Sequence, residues 1–303
     1  MREEIRRLHE LDARKSLIKI AQLLAIWGLC ALLALKADSH LAALPCYVLM
    51  GFCFHGLGVL AHEGAHGSLL GWGWVDRLVG FFCGLPISFP CNNYRATHLL
   101  HHMYENSELD PDNLEAQFPH PIPRVLVYYG FYLVGIYLYV VQLMLTGPFR
   151  SRTWRDRLIC LAETLCLLAF YGLLWRTAFD YGAVDTLLRC WLLGIPFGAF
   201  IANVRGLAEH TQLEHDRPPD SLRSTRTTLS HPFICFFFNN QNYHLEHHLF
   251  PMVPWYHLPR LHKLLLPIFL EHGASISSRG YLEGFWSGVI YGPLTTFHYN
   301  DRL

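Results

Sequence analysis

Charged residues are scarce in this sequence, and neither sign of charge is in excess. Only 16% of the 303 residues are Asp, Glu, Lys or Arg, and 24 basic side chains balance 24 acidic ones. Soluble domains carry about 25% charged residues, so the composition argues against an ordinary soluble enzyme and against a disordered chain. The lack of a basic excess also argues against nucleic acid as a partner.

Several motifs of redox proteins are also missing. The nine cysteines contain no CxxC pair, and most lie in apolar runs. We therefore expect buried thiols and neither a disulfide framework nor an iron–sulfur cluster. The sequence also has no flavin or dinucleotide fingerprint and no phosphate-binding glycine loop.

Long apolar runs are what the sequence has instead. Residues 17–35 and 41–60 each approach the roughly 20 residues needed to cross a bilayer, and a short polar loop separates them. Because the second run follows at once, the pair predicts a helical hairpin over 17–60 rather than a cleaved signal. Residues 69–90 are interrupted by glycine, proline and charge and do not predict a span. A single domain over 1–303 is the simplest organisation.

Four arginines between residues 150 and 157 place their loop on the cytoplasmic side of the membrane. The apolar runs 158–178 and 184–204 then predict a second hairpin. The histidine clusters described next can meet only if an even number of crossings separates them. The tyrosine-rich run 125–147 is therefore expected to lie along the interface without crossing, with both termini in the cytoplasm.

Histidine is unusually abundant, and eight of the 19 histidines lie in three clusters with helical spacing. Residues three and four apart share one face of a helix, so each cluster presents its imidazoles to one point. Imidazole suits several transition metals, and eight imidazoles exceed the needs of one ion, so the pattern predicts two metal ions. The predicted ligands are His62, His66, His98, His101, His102, His244, His247 and His248, with His210 as a ninth candidate.

The first cluster also fits a second pattern. His62, Glu63 and His66 match the HExxH motif of zinc metalloproteases, in which the glutamate is the general base. This pattern leaves the two HxxHH clusters without a role, so an intramembrane protease is the weaker alternative. A metal transporter would place its ligands near the bilayer midplane, whereas these clusters are expected beyond the helix ends.

The three clusters resemble the histidine boxes of the membrane fatty acid desaturase and hydroxylase superfamily, which are di-iron enzymes. Members have HxxxH or HxxxxH, HxxHH and HxxHH boxes, and this sequence has matching boxes at 62–66, 98–102 and 244–248. NYHLEHHLFP at 242–251 is similar to the family's third box. RGLAEH at 205–210 resembles the segment that supplies one further histidine ligand.

The resemblance implies an all-α integral membrane protein with two transmembrane hairpins, interfacial helices and a cytoplasmic helical cap that holds a di-metal site. It implies an oxidoreductase that uses two iron ions and O2 to oxidise an unactivated aliphatic C–H bond. Desaturation of a fatty acyl chain is the first expectation. Hydroxylation or oxygenation of an alkane, another lipid or a small amino-acid-derived metabolite is the alternative.

Two further expectations concern the electron donor and the membrane in which the protein lies. The sequence has no HPGG segment like that of fused cytochrome b5 domains, so the resemblance implies a separate ferredoxin- or cytochrome-type donor with its reductase. Arginine far outnumbers lysine, which is typical of a GC-rich bacterial genome. We therefore expect a bacterial inner membrane, with the active site on its cytoplasmic face.

Metal-bound imidazoles usually donate their second ring N–H to a carboxylate or a carbonyl oxygen. The sequence offers six such acceptors close to the predicted ligands. They are Glu63, Asp110, Asp112, Glu209, Asn242 and Glu246.

Overall fold

A computed structural model describes residues 1–105, 107–113, 120–210, 213 and 220–292. The helices in these ranges are α1 (Arg2–Leu8), α2 (Ala13–Lys36), α3 (Leu44–His66), α4 (Trp74–Gly84), α5 (Cys91–Tyr104), α6 (Pro121–Arg150), α7 (Trp154–Asp180), α8 (Val184–Cys190), α9 (Ile195–His210), α10 (Ser221–Ser224), α11 (Pro232–Phe237), α12 (His244–Leu249), α13 (Leu258–Glu271) and α14 (Gly280–Tyr291). Two short strands, β1 (Thr227–Thr228) and β2 (Ile276–Ser277), pair in parallel. Apart from this pairing, the predicted all-helical fold is confirmed.

Residue contacts divide the chain into two units. The hairpin unit comprises Asp12–Ala96 and Ile136–Ile201. The histidine unit comprises Met1–Leu11, Thr97–Gly135 and Ala202–Leu303. The single-domain organisation stays a prediction.

Four helices in the described ranges are long and apolar enough to cross a membrane: α2, α3, α6 and α7. Helices α2 and α3 confirm the first predicted hairpin, and α7 confirms the first arm of the second. The run 125–147, expected along the interface, belongs to the continuous 30-residue helix α6, which also meets the criteria for a span. Its position relative to the membrane stays a prediction.

The second arm of the second hairpin is broken, whereas the apolar run at 184–204 suggested one continuous helix. Helix α8 and the segment Leu192–His210 meet at a bend of 42°. The backbone leaves the helical conformation at Trp191, where φ is −148°. The indole Nε1 of Trp27 donates to the carbonyl of Cys190 over 2.8 Å. A side chain from α2 therefore satisfies a carbonyl at the break.

Helix α3 extends farther than its apolar run. The run ends at residue 60, but the helix continues to His66 and ends at Gly67, which has a φ of +82°. The N–H of Gly67 donates to the carbonyl of Glu63 over 3.0 Å. His62 and His66 therefore lie on the last turns of α3, not beyond its end as the sequence suggested.

The interrupted segment 69–90 forms the 11-residue helix α4 and a 3-10 turn at Leu85–Ile87. It is not among the helices that meet the criteria for a span, in agreement with its sequence. A Cβ atom on Gly64 would lie 2.8 Å from the Cα of Gly80. Glycine at both positions therefore allows α3 and α4 to approach closely beside the first histidine box.

The histidine unit has a core formed by α1, α12, α13 and β2. Its buried side chains are Leu8, Leu245, Val253, Leu258, Leu261, Leu265, Phe269 and Ile276. Leu245 is fully buried and belongs to the third histidine box, so the box helix α12 packs into this core. Helices α13 and α14 follow the third box, and residues 293–303 lie outside the described ranges.

Candidate metal centre

Helix α5 carries the second histidine box and helix α12 carries the third, so the helical spacing predicted for both is confirmed. The start of α12 is fixed to β1. Asn242 donates its side-chain amide to the carbonyl of Thr228 over 3.1 Å, and the N–H of Thr228 donates to the carbonyl of Asn242 over 2.9 Å. Asn242, a predicted acceptor for an imidazole, thus anchors the box helix to the strand.

Three imidazoles of the two boxes converge on one point. One ring nitrogen each of His98, His102 and His247 lies within 4.8 Å of the others. The Nε2 atoms of His98 and His102 are 3.0 Å apart. His98 and His247 are 4% and 0% exposed, so the point is shielded from solvent.

A second group forms beside the first within the histidine unit. Ring nitrogens of His101, His210 and His248 lie within 4.8 Å of one another. His244 joins this group, because its Nε2 atom lies 2.7 Å from Nε2 of His210 and 3.1 Å from Nε2 of His248. Seven of the nine predicted ligands are therefore brought together, in two adjacent groups.

Three of these imidazoles have a carboxylate at the nitrogen that faces away from the group. Both oxygens of Asp110 lie 3.0 Å from Nδ1 of His101.

Nδ1 of His248 lies 3.1 Å from Glu105, and Nδ1 of His244 lies 3.5 Å from Glu209. At His244 the guanidinium of Arg205, which can only donate, also lies 3.4 Å from Nδ1. The hydrogen bond between Asp110 and Nδ1 of His101 fixes the tautomer that leaves the Nε2 lone pair of His101 available, an arrangement that metal-binding histidines use.

The surroundings of the rings shift their pKa values in different directions. Burial and the neighbouring rings His248 and His101 lower the pKa of His102, and burial with the neighbouring rings lowers the pKa of His244 well below its usual range. Neutral imidazoles are the form that binds metal. His101 differs: burial lowers its pKa, but nearby carboxylates led by Asp110 outweigh burial and raise the pKa to about 9.

Glu105 is a site residue that the sequence prediction missed. It is 1% exposed, and besides His248 it accepts hydrogen bonds from the hydroxyls of Ser221 over 2.7 Å and Ser224 over 2.9 Å. One signal was present in the sequence. Glu105 follows His101 by four residues, which is one helical turn from the box.

Glu246 contacts partners other than a box histidine, whereas a carboxylate oxygen of Asp112 lies within 4.8 Å of a ring nitrogen of His101. Glu246 accepts from the hydroxyl of Thr227 and pairs with the ring of His262, a histidine to which the sequence assigned no role. The backbone N–H of Asp112 donates to Asp110 over 2.9 Å, so Asp112 shapes the turn that holds the partner of His101.

Glu209 is held by two further residues. Arg205 donates to its carboxylate over 3.0 Å, and the hydroxyl of Tyr281 donates to the same oxygen. This pairing fixes the carboxylate beside His244, the third-box histidine that reaches both His210 and His248. Neither Arg205 nor Tyr281 was predicted.

The first box belongs to the hairpin unit. The rings of His62 and His66 meet edge to face with centroids 4.6 Å apart, and both residues are buried. Glu63 lies between them in sequence, 3.6 Å from Nδ1 of His62, and accepts a hydrogen bond from the hydroxyl of Ser68 over 3.0 Å.

The donor set in the histidine unit fits a transition-metal site. It consists of imidazoles backed by carboxylates, and no thiolate is among the grouped ligands of the described ranges. Imidazole ligands suit iron, zinc, copper and nickel, whereas thiolates favour zinc or iron–sulfur clusters. The ring nitrogens form two adjacent groups, and the number of metal ions stays a prediction.

The fatty acid desaturase family matches residues 38–280, and the chain belongs to this family. It is an integral membrane protein with four candidate spans in its described ranges.

Individual relatives are distant and differ in activity. The acyl-lipid (8-3)-desaturase of Rebecca salina is 26% identical over 272 residues, which cover 78% of this chain and 59% of that protein. The chloroplastic omega-3 fatty acid desaturase of Glycine max is 26% identical over 285 residues, which cover 82% of this chain and 60% of that protein. The beta-carotene ketolase of Paracoccus sp. PC1 is 27% identical over 235 residues, which cover 76% of this chain and 83% of that protein. The matched region is about three fifths of the length of the two desaturases.

Proposed function

We propose that this protein introduces a double bond into a fatty acyl chain, in an O2-dependent reaction at two iron ions held by the histidine boxes. The observation that carries the proposal is the convergence of seven imidazoles from α5, α9 and α12, three of them backed by carboxylates. Bound iron supplies the oxidising power needed to remove hydrogen from an unactivated C–H bond.

The residues of the chain bind, orient and exclude water. Asp110 accepts from Nδ1 of His101, so the Nε2 lone pair of His101 is directed at the metal position. Glu105 and Glu209 lie beside the outer nitrogens of His248 and His244. The low exposure of His101 and His247 keeps water away from the ligands. Exclusion of water protects a strongly oxidising centre from reactions other than the intended one.

His62 and His66 belong to the proposed ligand set as well. Their HxxxH spacing matches the first box of the family, and both rings lie on one face at the end of α3. Full occupancy of the proposed site would then use all nine predicted histidines. The same family membership favours oxidation over the zinc-protease alternative for Glu63.

The proposal includes a separate electron donor of ferredoxin or cytochrome type, with its reductase, and a bacterial inner membrane with the site on the cytoplasmic face. The arginine-rich loop between α6 and α7 supports the orientation, since Arg152 and Arg155 are exposed there. No motif for a flavin, a dinucleotide or an iron–sulfur cluster occurs in the sequence, which supports an external source of electrons.

Oxygen insertion is the second candidate. It is supported by the beta-carotene ketolase, because the match covers 83% of that protein against about 60% of the two desaturases. The two candidates differ in the product and not in the metal site.

The test is product analysis with the purified protein in lipid vesicles, supplied with iron, O2, a reduced donor system and candidate lipids. Mass spectrometry that finds loss of two hydrogen atoms from an acyl chain supports desaturation. Gain of one oxygen atom supports the second candidate and contradicts the first. The His101→Ala variant is the inactive control, and a product formed equally by that variant would refute the proposed site.

A further inference from the structure

Helix α7 carries a buried carboxylate within an apolar segment. Glu163 is 5% exposed and lies one turn after Cys160 in a helix that meets the criteria for a membrane span. An ionisable side chain is costly in such a helix, and it is retained where strong partners or a function compensate for the cost.

The partners of Glu163 are the first residues of α5. The backbone N–H groups of Asn92 and Asn93 donate to its carboxylate over 2.9 to 3.0 Å, and the side-chain amides of both asparagines donate to it over 2.9 Å. Both oxygens of Glu163 only accept, which is the behaviour of an ionised carboxylate. Its negative charge lies at the N-terminus of α5, where the helix dipole favours an anion.

Neighbouring side chains strengthen this junction. Arg77 of α4 donates to the side-chain oxygen of Asn92 over 2.6 Å and to Asp156 of α7 over 3.0 Å. The side chain of Asn93 also donates to the carbonyl of Cys160 over 3.0 Å. The first turn of α5 is thus held by both α4 and α7 within the hairpin unit.

Helix α5 is also fixed one turn later. The guanidinium of Arg95 donates to the carbonyl of Ala65 on α3, next to His66. Within the hairpin unit, the start of α5 is therefore fixed to α3 as well as to α4 and α7.

We propose that Glu163 is a positioning residue for the metal site, acting through the start of α5. The inference rests on the proposed function, in which the boxes bind metal. At 1.5 Å per residue, His102 lies about 14 Å along the helix from Asn93, so a tilt of about 10° at the first turn would move its backbone by about 2.4 Å. Metal–ligand distances tolerate only about 0.2 Å, so the orientation of the first turn controls whether the box can bind.

The test compares Co2+ binding by wild-type protein and Glu163→Gln, both purified metal-free in detergent. Glutamine keeps the shape but turns an NH2 group toward N–H donors that need an acceptor. We expect Co2+ affinity to fall about 10-fold or more, with a changed visible absorption spectrum of the bound Co2+. The matched control is Asp180→Asn, which removes a carboxylate from the same helix where it pairs with exposed Arg176 over 2.6 Å. This control is expected to match wild type.

A purely structural role for Glu163 predicts a different result. A lower melting temperature with unchanged Co2+ affinity and spectrum would overturn the inference. If Glu163→Gln does not fold, Asn93→Ala tests the same junction more gently, because it removes only side-chain bonds. It is expected to weaken Co2+ binding, and an affinity equal to wild type would overturn the inference. Failure of wild-type protein to bind Co2+ would instead refute the proposed metal site, and the inference with it.

Discussion

Replacement of Glu105 distinguishes two roles of a buried carboxylate: stabilising the fold and raising metal affinity. Glu105→Ala would leave the hydroxyls of Ser221 and Ser224 without their acceptor and would remove the carboxylate that lies 3.1 Å from the outer nitrogen of His248. Each buried polar group left unsatisfied costs about 1–3 kcal/mol, so the loss could approach the total stability of a domain, about 5–15 kcal/mol. We expect this variant to accumulate poorly.

Glu105→Gln is the informative change, because the amide keeps one acceptor oxygen and most of the shape. The serine hydroxyls can rotate to serve the new NH2 group, so we expect the fold to persist. The loss of charge beside Nδ1 of His248 lowers the basicity of that ligand, and changes of this kind typically reduce metal affinity 10- to 100-fold. That range corresponds to about 1.4–2.8 kcal/mol.

The assay is equilibrium binding of Fe2+ under anaerobic conditions, followed by metal analysis of the protein fraction and a thermal melt of the metal-free form. Glu271→Gln is the matched control, since Glu271 is exposed at the end of α13. Wild-type affinity in Glu105→Gln, with a normal melt, would refute the role that we assign to this carboxylate.

Three other outcomes follow from the same site. Protein purified without chelator should contain about two metal equivalents, with iron in the active form, and one reproducible zinc accompanied by protease activity would favour the HExxH alternative instead. His101→Ala should abolish turnover, whereas His272→Ala should retain most of it because that exposed ring bonds the backbone carbonyl of Ile268; full activity in His101→Ala would contradict the assignment. In a variant without native cysteines, a cysteine at Ser39 should be labelled from outside intact cells and one at Ser151 should not, and external labelling at Ser151 would overturn the predicted topology.

The histidine boxes could be predicted from the sequence because the histidines of each box are only a few residues apart. An HxxHH pattern places three rings on one helical face, and α5 and α12 confirm that reading. The end of α3 was harder to predict. Hydropathy measures the apolar run, which stops near residue 60, but nothing in the residues up to His66 ends a helix before Gly67 supplies the left-handed conformation.

Partners distant in sequence were harder still. Glu105 meets Ser221 and Ser224 across more than 100 residues, and its own neighbourhood in sequence resembles any polar helix end. Glu163 differs from Glu105, because a single glutamate in an apolar run indicates that it has a partner. The sequence does not indicate which residue that partner is. The helix break at Trp191 could not be predicted from the sequence, because no proline stands at that position.

The pairing of β1 with β2 has a consequence for the order in which the site can mature. Every predicted ligand histidine precedes residue 249, but β2 at Ile276–Ser277 and the Tyr281 hydroxyl on Glu209 come later in the chain. During translation, all the predicted ligand histidines are therefore synthesised before the segments that hold β1 and Glu209 in place. Metal loading should accordingly be a late event in biogenesis, and a chain truncated before residue 275 would carry every histidine box yet lack two of the supports around them.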